Sequence, residues 1–88
     1  MARVPRIIDE GQPNNIVGPN VRKYRLQRGW SQQLLADKLE LIPVYICRGS
    51  ISRVEERIRT VTDFEVAGLA KTLGVPIEAL FAREDEIS

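Results

Sequence analysis

The chain has no histidine and a single cysteine, Cys47, among its 88 residues. Without histidine the usual zinc spacings cannot be assembled, and the commonest general base is missing. A lone thiol cannot form an internal disulfide, and no serine or cysteine has an obvious activating partner. An enzyme, a bound metal and a cofactor are therefore not expected. Long apolar runs are also lacking, so no segment reads as membrane-spanning. The opening stretch MARVPRIIDEGQPNN has no central apolar region and is broken by Pro5, Gly11 and Pro13, unlike a signal peptide. The expected location is cytoplasmic, with no membrane attachment.

What is present is the composition of an ordinary soluble globule, 43% hydrophobic and 28% charged, of a length that suits one domain. A chain this short buries about 60–65% of its unfolded surface, so its stability is modest. The net charge of +1 conceals a strong asymmetry. Residues 20–60 carry nine basic and four acidic groups, whereas residues 61–88 carry two basic and six acidic. The first of these segments suits a polyanion; the second does not.

Helical punctuation divides the chain. Residues 1–16 read as an N-terminal arm, with an extended piece suggested at Val4 to Ile8. From Pro19 to Gly29 the pattern predicts a first helix with Val21, Tyr24 and Arg25 on one face. Ser31 is an N-cap for a second, with Trp30 and Leu35 at the spacing of a hydrophobic staple and with Leu35, Ala36, Leu39 and Ile42 inward until Pro43. A third helix starts at Cys47 or Arg48 and runs to about Glu56. It carries an apolar stripe at Ile51, Val54 and Ile58, and its stretch RGSISRVEERIR holds four arginines. Thr62 and Glu65 form a capping box for a fourth helix, stapled by Val61 and Val66, with Phe64, Ala67, Leu69, Ala70 and Leu73 as its core face and Gly74 as its stop. Pro76 opens a last short helix with Ile77, Leu80 and Phe81 inward. Residues 17–82 thus form one all-α, five-helix domain, and residues 83–88 form an acidic tail.

The run VGPNVRKYRLQRGWSQ, residues 17–32, resembles the first two helices of the Cro/repressor-type, Xre-like or lambda-repressor-like helix-turn-helix family. The resemblance continues through Leu35, Ala36 and Leu39, then ISRVE at 51–55, then LAKTLGVPIEALF at 69–81. It implies a compact lambda-repressor-like domain whose third helix enters the major groove of double-stranded DNA. Eleven residues separate Leu39 from Ile51, more than compact members carry. This resembles a branch with a lengthened second helix and turn, in which Leu41 and Ile42 add packing and Ile46 fills the apolar turn position. Cys47 stands where the family usually has a capping Ser or Thr; buried packing is its expected role, and a redox switch the alternative.

With that frame, Ile51, Val54 and Ile58 should hold the third helix to the core while Arg48, Gly49, Ser50, Ser52 and Arg53 line its free face. Arg53 is the first candidate for base reading, because a guanidinium can bond O6 and N7 of guanine together. Arg48 is second, with phosphate as its other target, and solvation is the plain alternative for both. Gly49 suits close approach to a phosphate or base, or simply a first helical turn. The resemblance makes Gln32 a phosphate grip that also braces a side chain of the third helix. Arg57 and Arg59 suit backbone contacts, with an ordinary solvated face as competitor. The resemblance also implies an internal salt bridge between Arg25 and Glu55. Trp30 is expected in the core or the staple, and Tyr45 either packs locally or touches the DNA backbone.

The expected function is a sequence-specific DNA-binding transcriptional regulator, a repressor bound as a homodimer to a palindromic operator with half-sites roughly 34 Å apart. The competing reading is an antitoxin-like or other protein-interaction module with secondary DNA binding. An exposed apolar patch in the arm or tail would favour that alternative. The arm, with Arg3 and Arg6, has three open readings: minor-groove contact, pairing across a dimer, or disorder.

Overall fold

The second and fourth helices begin at side-chain caps, whereas the N-cap residues of the first, third and fifth make no side-chain capping bond. A computed structural model describes residues 13–42 and 44–82. Five helices occur there, and no strand: α1 Gly18–Gln27, α2 Gln32–Leu39, α3 Arg48–Glu55, α4 Asp63–Leu73 and α5 Ile77–Phe81. The suggested extended piece at Val4 to Ile8 and the tail at 83–88 lie outside the described residues. None of these helices is long and apolar enough to cross a membrane.

At α2 the Ser31 hydroxyl accepts the Leu34 amide at 2.9 Å. At α4 Thr62 and Glu65 exchange hydrogen bonds at 3.0 and 3.2 Å, the capping box expected from their spacing. Gly29 and Gly74 hold φ of 72° and 75°, left-handed values that turn the chain out of α1 and α4 without a Cβ penalty. Arg57 does the same after α3 at φ 66° although it is not glycine. Its amide bonds to the Val54 carbonyl at 2.9 Å and the Ile58 amide to the Arg53 carbonyl at 3.0 Å, the paired bonds of a Schellman ending.

One stripe of each helix points inward. Val21 from α1, Leu35, Ala36 and Leu39 from α2, Ile51 and Val54 from α3, four α4 side chains and Leu80 from α5 are buried. Val17 and Ile46, just outside helices, join them. Removing each larger aliphatic side chain from water stabilises the fold by about 1.5–3 kcal/mol. α3 lies against α1 and α2, while α4 contacts α1, α2 and α5. Among the described residues, one face of α3 is consequently left without a helical neighbour.

Several expected core positions lie elsewhere. The inward stripe of α4 is Val66, Leu69, Ala70 and Leu73, at i, i+3, i+4 and i+7. Phe64 is two residues off that stripe, about 200° around the helix, and is 81% exposed; Ala67 is exposed too. Ile58 is outside because α3 ends at Glu55 and the left-handed Arg57 redirects the chain before the helical period reaches it. At α5 Leu80 is fully buried, while Ile77 and Phe81 remain largely exposed.

The extra residues before α3 lengthen the turn, not α2. That helix stops at Leu39, and Glu40, Leu41 and Ile42 close onto Asp37, Lys38 and Leu39 through tighter i→i+3 bonds of 3.1–3.2 Å. Leu41 is 84% exposed and adds no packing, whereas Ile42 is partly buried against the core. Val44 lies over Gly68 so closely that a Cβ there would stand 2.7 Å from its Cγ2. The long turn is thereby seated on α4.

Candidate nucleic-acid interface

α3 has eight residues and turns about 100° at each. Ile51, Val54 and Glu55 mark its buried side. Gly49 and Arg53, four apart, lie at the centre of the opposite side and are exposed. Ser50 and Ser52 flank them half-buried, and Arg48 is exposed in the first turn. The expected free-face residues Arg48, Gly49, Ser50, Ser52 and Arg53 are thus brought together on one short helix. Glu56, the C-cap of α3, is exposed beside Arg53 and was not singled out from the sequence.

A buried polar network sets the angle of that helix. The Arg25 guanidinium grips Glu55 through Nε at 2.7 Å and Nη2 at 3.0 Å, with side chains only 8% and 2% exposed. Nη1 of Arg25 donates to the Trp30 carbonyl at 2.8 Å. Gln32 Nε2 donates to the same Glu55 carboxylate at 3.0 Å. One network therefore joins α1, the start of α2 and the end of α3, with the carboxylate accepting three bonds. Such saturation is what makes a charged pair tolerable in an interior. Gln32, from the first position of α2, braces α3 as the resemblance implied. Trp30 is half-buried against the core, with the Lys38 ammonium 4.6 Å from its ring centroid.

The four arginines of the 48–59 stretch divide into two kinds. Arg59 is committed internally: Nη1 and Nη2 bond Glu65 at 3.0 and 2.9 Å, and Nη1 also bonds the Thr60 carbonyl. These bonds hold the Glu65 carboxyl below its ordinary range and raise Arg59 further. Arg57 donates through Nε to the Asn15 carbonyl at 3.1 Å. Arg48 and Arg53 make no salt bridge among the described residues. The outward charge of α3 is carried by those two.

Asn15 is a positioning residue that the sequence did not reveal. Its Nδ2 donates to the Val54 and Arg59 carbonyls at 3.1 and 2.7 Å, and its Oδ1 accepts the Gly18 amide at 2.8 Å. It ties the chain before α1 to the end of α3. The signal was the Asn-Asn pair ahead of Gly-Pro, since Asn bonds nearby backbone in place of a helical partner. Asn20 does the same for the far end, bonding the Leu80 and Ala82 carbonyls at 2.8 and 2.6 Å.

Cys47 is exposed at the N-cap of α3, contrary to the packing role expected of it. Ile46 takes the inward place, which turns the next side chain outward. The thiol lies 3.5 Å from Ser50 Oγ. That hydrogen bond leads the causes that lower its pKa, helped by the Ser50 and Gly49 amides and the Arg53 charge. Tyr45 is 78% exposed, so it does not pack locally. Among the described residues, no group of three or more Cys, Asp or Glu side chains is arranged to hold a metal ion.

Two helices joined by a turn, the second presenting an unpartnered cationic face, define a helix-turn-helix domain. The chain belongs to the helix-turn-helix family: the family model described as Helix-turn-helix matches residues 21–80, spanning α1 to α5. Among solved structures, the crystal structure of a hypothetical transcription factor, NHTF, from Neisseria is similar at a TM-score of 0.73 and 26% sequence identity. That match covers 99% of this chain and 91% of the other. No curated protein sequence matches.

Proposed function

We propose that the protein is a sequence-specific double-stranded DNA-binding transcriptional regulator, acting as a repressor and binding a palindromic operator as a homodimer. One observation carries this reading: Arg48 and Arg53 are exposed and make no salt bridge among the described residues, Arg53 projecting from the face of α3 opposite the core and Arg48 from its first turn. Arg53 reads a base edge and Arg48 a phosphate or a base, with Ser50 and Ser52 beside them. Gln32 and the Nη groups of Arg57 serve the flanking backbone. Arg59, already held by Glu65, contributes mainly by keeping the segment after α3 in place. A single module makes few base contacts, so two copies on half-sites roughly 34 Å apart bring affinity into the specific range.

The test is selection of bound duplexes from random DNA at fixed salt, followed by titration of variants on the selected site. Arg53→Ala should lose about 1–3 kcal/mol and relax preference at one base-pair position. Arg48→Ala should weaken binding with less change in preference. A wild-type protein that selects no duplex at low salt, or an Arg53→Ala variant equal to wild type, overturns the reading. Stoichiometry on the selected site, by light scattering, checks the homodimer.

The second reading, a protein-interaction module, draws on Leu41, Tyr45 and Phe64, three large apolar side chains each more than three-quarters exposed. They lie on the long turn and on α4, not in the arm or tail. Unchanged duplex binding after all three are replaced by Ser, with loss of a partner protein, would favour it.

A further inference from the structure

Of the five glycines in the described residues, four are explained by the fold. Gly29 and Gly74 hold left-handed backbone. A Cβ on Gly18 would run into the Val54 carbonyl oxygen, and one on Gly68 would stand 2.7 Å from Val44 Cγ2. Gly49 is different. Its φ is not left-handed, it is exposed in the first turn of α3, and a Cβ there would meet only Arg53 Nη1, at an ordinary 3.8 Å. Nothing among the described residues requires the absence of a side chain, and glycine is a poor helix former. The unfilled spot lies under the guanidinium of Arg53, because helical side chains lean toward the N-terminal turn and residue i+4 covers residue i.

We propose that Gly49 is a specificity-determining position, a bare patch of α3 backbone against which a base edge in the major groove comes to rest while Arg53 bonds beside it. The inference rests on the duplex-binding reading and adds to it a residue that acts by having no side chain. A methyl group at position 49 fits the free protein. In the complex it occupies the volume of the base edge and pushes the Arg53 contact out of reach.

The experiment is Gly49→Ala, assayed for thermal unfolding and for titration of the duplex selected by the wild type, at two salt concentrations and against single-position duplex variants. The expected result is opposite in sign for the two properties. The melting temperature rises by about 2–4 °C, since alanine favours the helix and first-turn positions gain less than interior ones. Affinity for the selected duplex falls about tenfold or more, with the lost preference confined to the base pair read by Arg53 or its neighbour. The salt slope stays the same because no phosphate contact is removed. Undiminished affinity in a stabilised variant overturns the proposal while leaving the regulator reading intact. A lowered melting temperature also overturns it, since the fold would then need the glycine. A uniform loss with a shallower salt slope does so as well, by assigning the spot to phosphate. A wild-type chain that selects no duplex defeats the reading beneath.

Discussion

Replacing Glu55 with alanine strands the Arg25 guanidinium in a site where its side chain is 8% exposed. Two charge-assisted bonds, at 2.7 and 3.0 Å, disappear, and Gln32 Nε2 loses its acceptor. Only the bond from Arg25 to the Trp30 carbonyl survives. An uncompensated buried charge of this kind costs about 3–5 kcal/mol. A domain this size has a total stability of about 5–10 kcal/mol, so the single change should remove roughly half. Urea unfolding followed by far-UV circular dichroism is the assay. With a slope of about 1 kcal/mol/M the midpoint should fall by about 3 M or more. A loss below about 1 kcal/mol would refute the reasoning, because it is what an exposed pair gives. The double variant Arg25→Met with Glu55→Leu separates stranding from lost attraction. It removes both charges together and should recover most of the stability. The Trp30 carbonyl then lacks its donor, so recovery should stop short of complete.

Other contacts give smaller, independent effects. Asn15→Ala removes the donor to the Val54 and Arg59 carbonyls and the acceptor of the Gly18 amide, and should cost about 1–3 kcal/mol in urea unfolding; a neutral result would mean that water replaces it fully. Glu65 has a folded pKa depressed chiefly by its hydrogen bonds from Arg59, so its stabilising effect is present above its unfolded pKa of about 4.3. That effect is lost as pH falls through the folded value; Glu65→Gln should flatten the difference in urea midpoint between neutral and acidic pH, and an identical pH dependence in both proteins would contradict the pairing. Cys47 should be alkylated by iodoacetamide with a midpoint below that of an unperturbed thiol, and Ser50→Ala should raise that midpoint. A saturating selected duplex should slow the reaction, whereas an unshielded thiol would argue that α3 is not seated in the groove.

The parts of the fold legible in the sequence are those decided within a few residues. Ser31 and the Thr62 and Glu65 pair stand out because capping is a local exchange of hydrogen bonds. Gly29 and Gly74 stand out because left-handed backbone selects glycine. The partnership of Arg25 and Glu55, thirty residues apart, has no such local signal, and only the family resemblance pointed to it. Most of the misplaced expectations depended on where a helix stops or on which stripe faces in. Ile58 fits the period of α3 until Arg57 takes a left-handed conformation that an arginine in a sequence does not announce. Phe64 looks like core by composition, yet the stripe through Val66 and Leu69 excludes it by about 200°. Arg59 and Arg53 are the same residue type six positions apart, and charge counting makes them equal candidates for DNA. Glu65 separates them, neutralising Arg59 from the first turn of α4 and leaving Arg53 to the solvent side. The division between internally paired and outward-facing arginines is therefore a property of tertiary pairing, and substitutions at 53 and 59 should be told apart first by stability and only then by affinity.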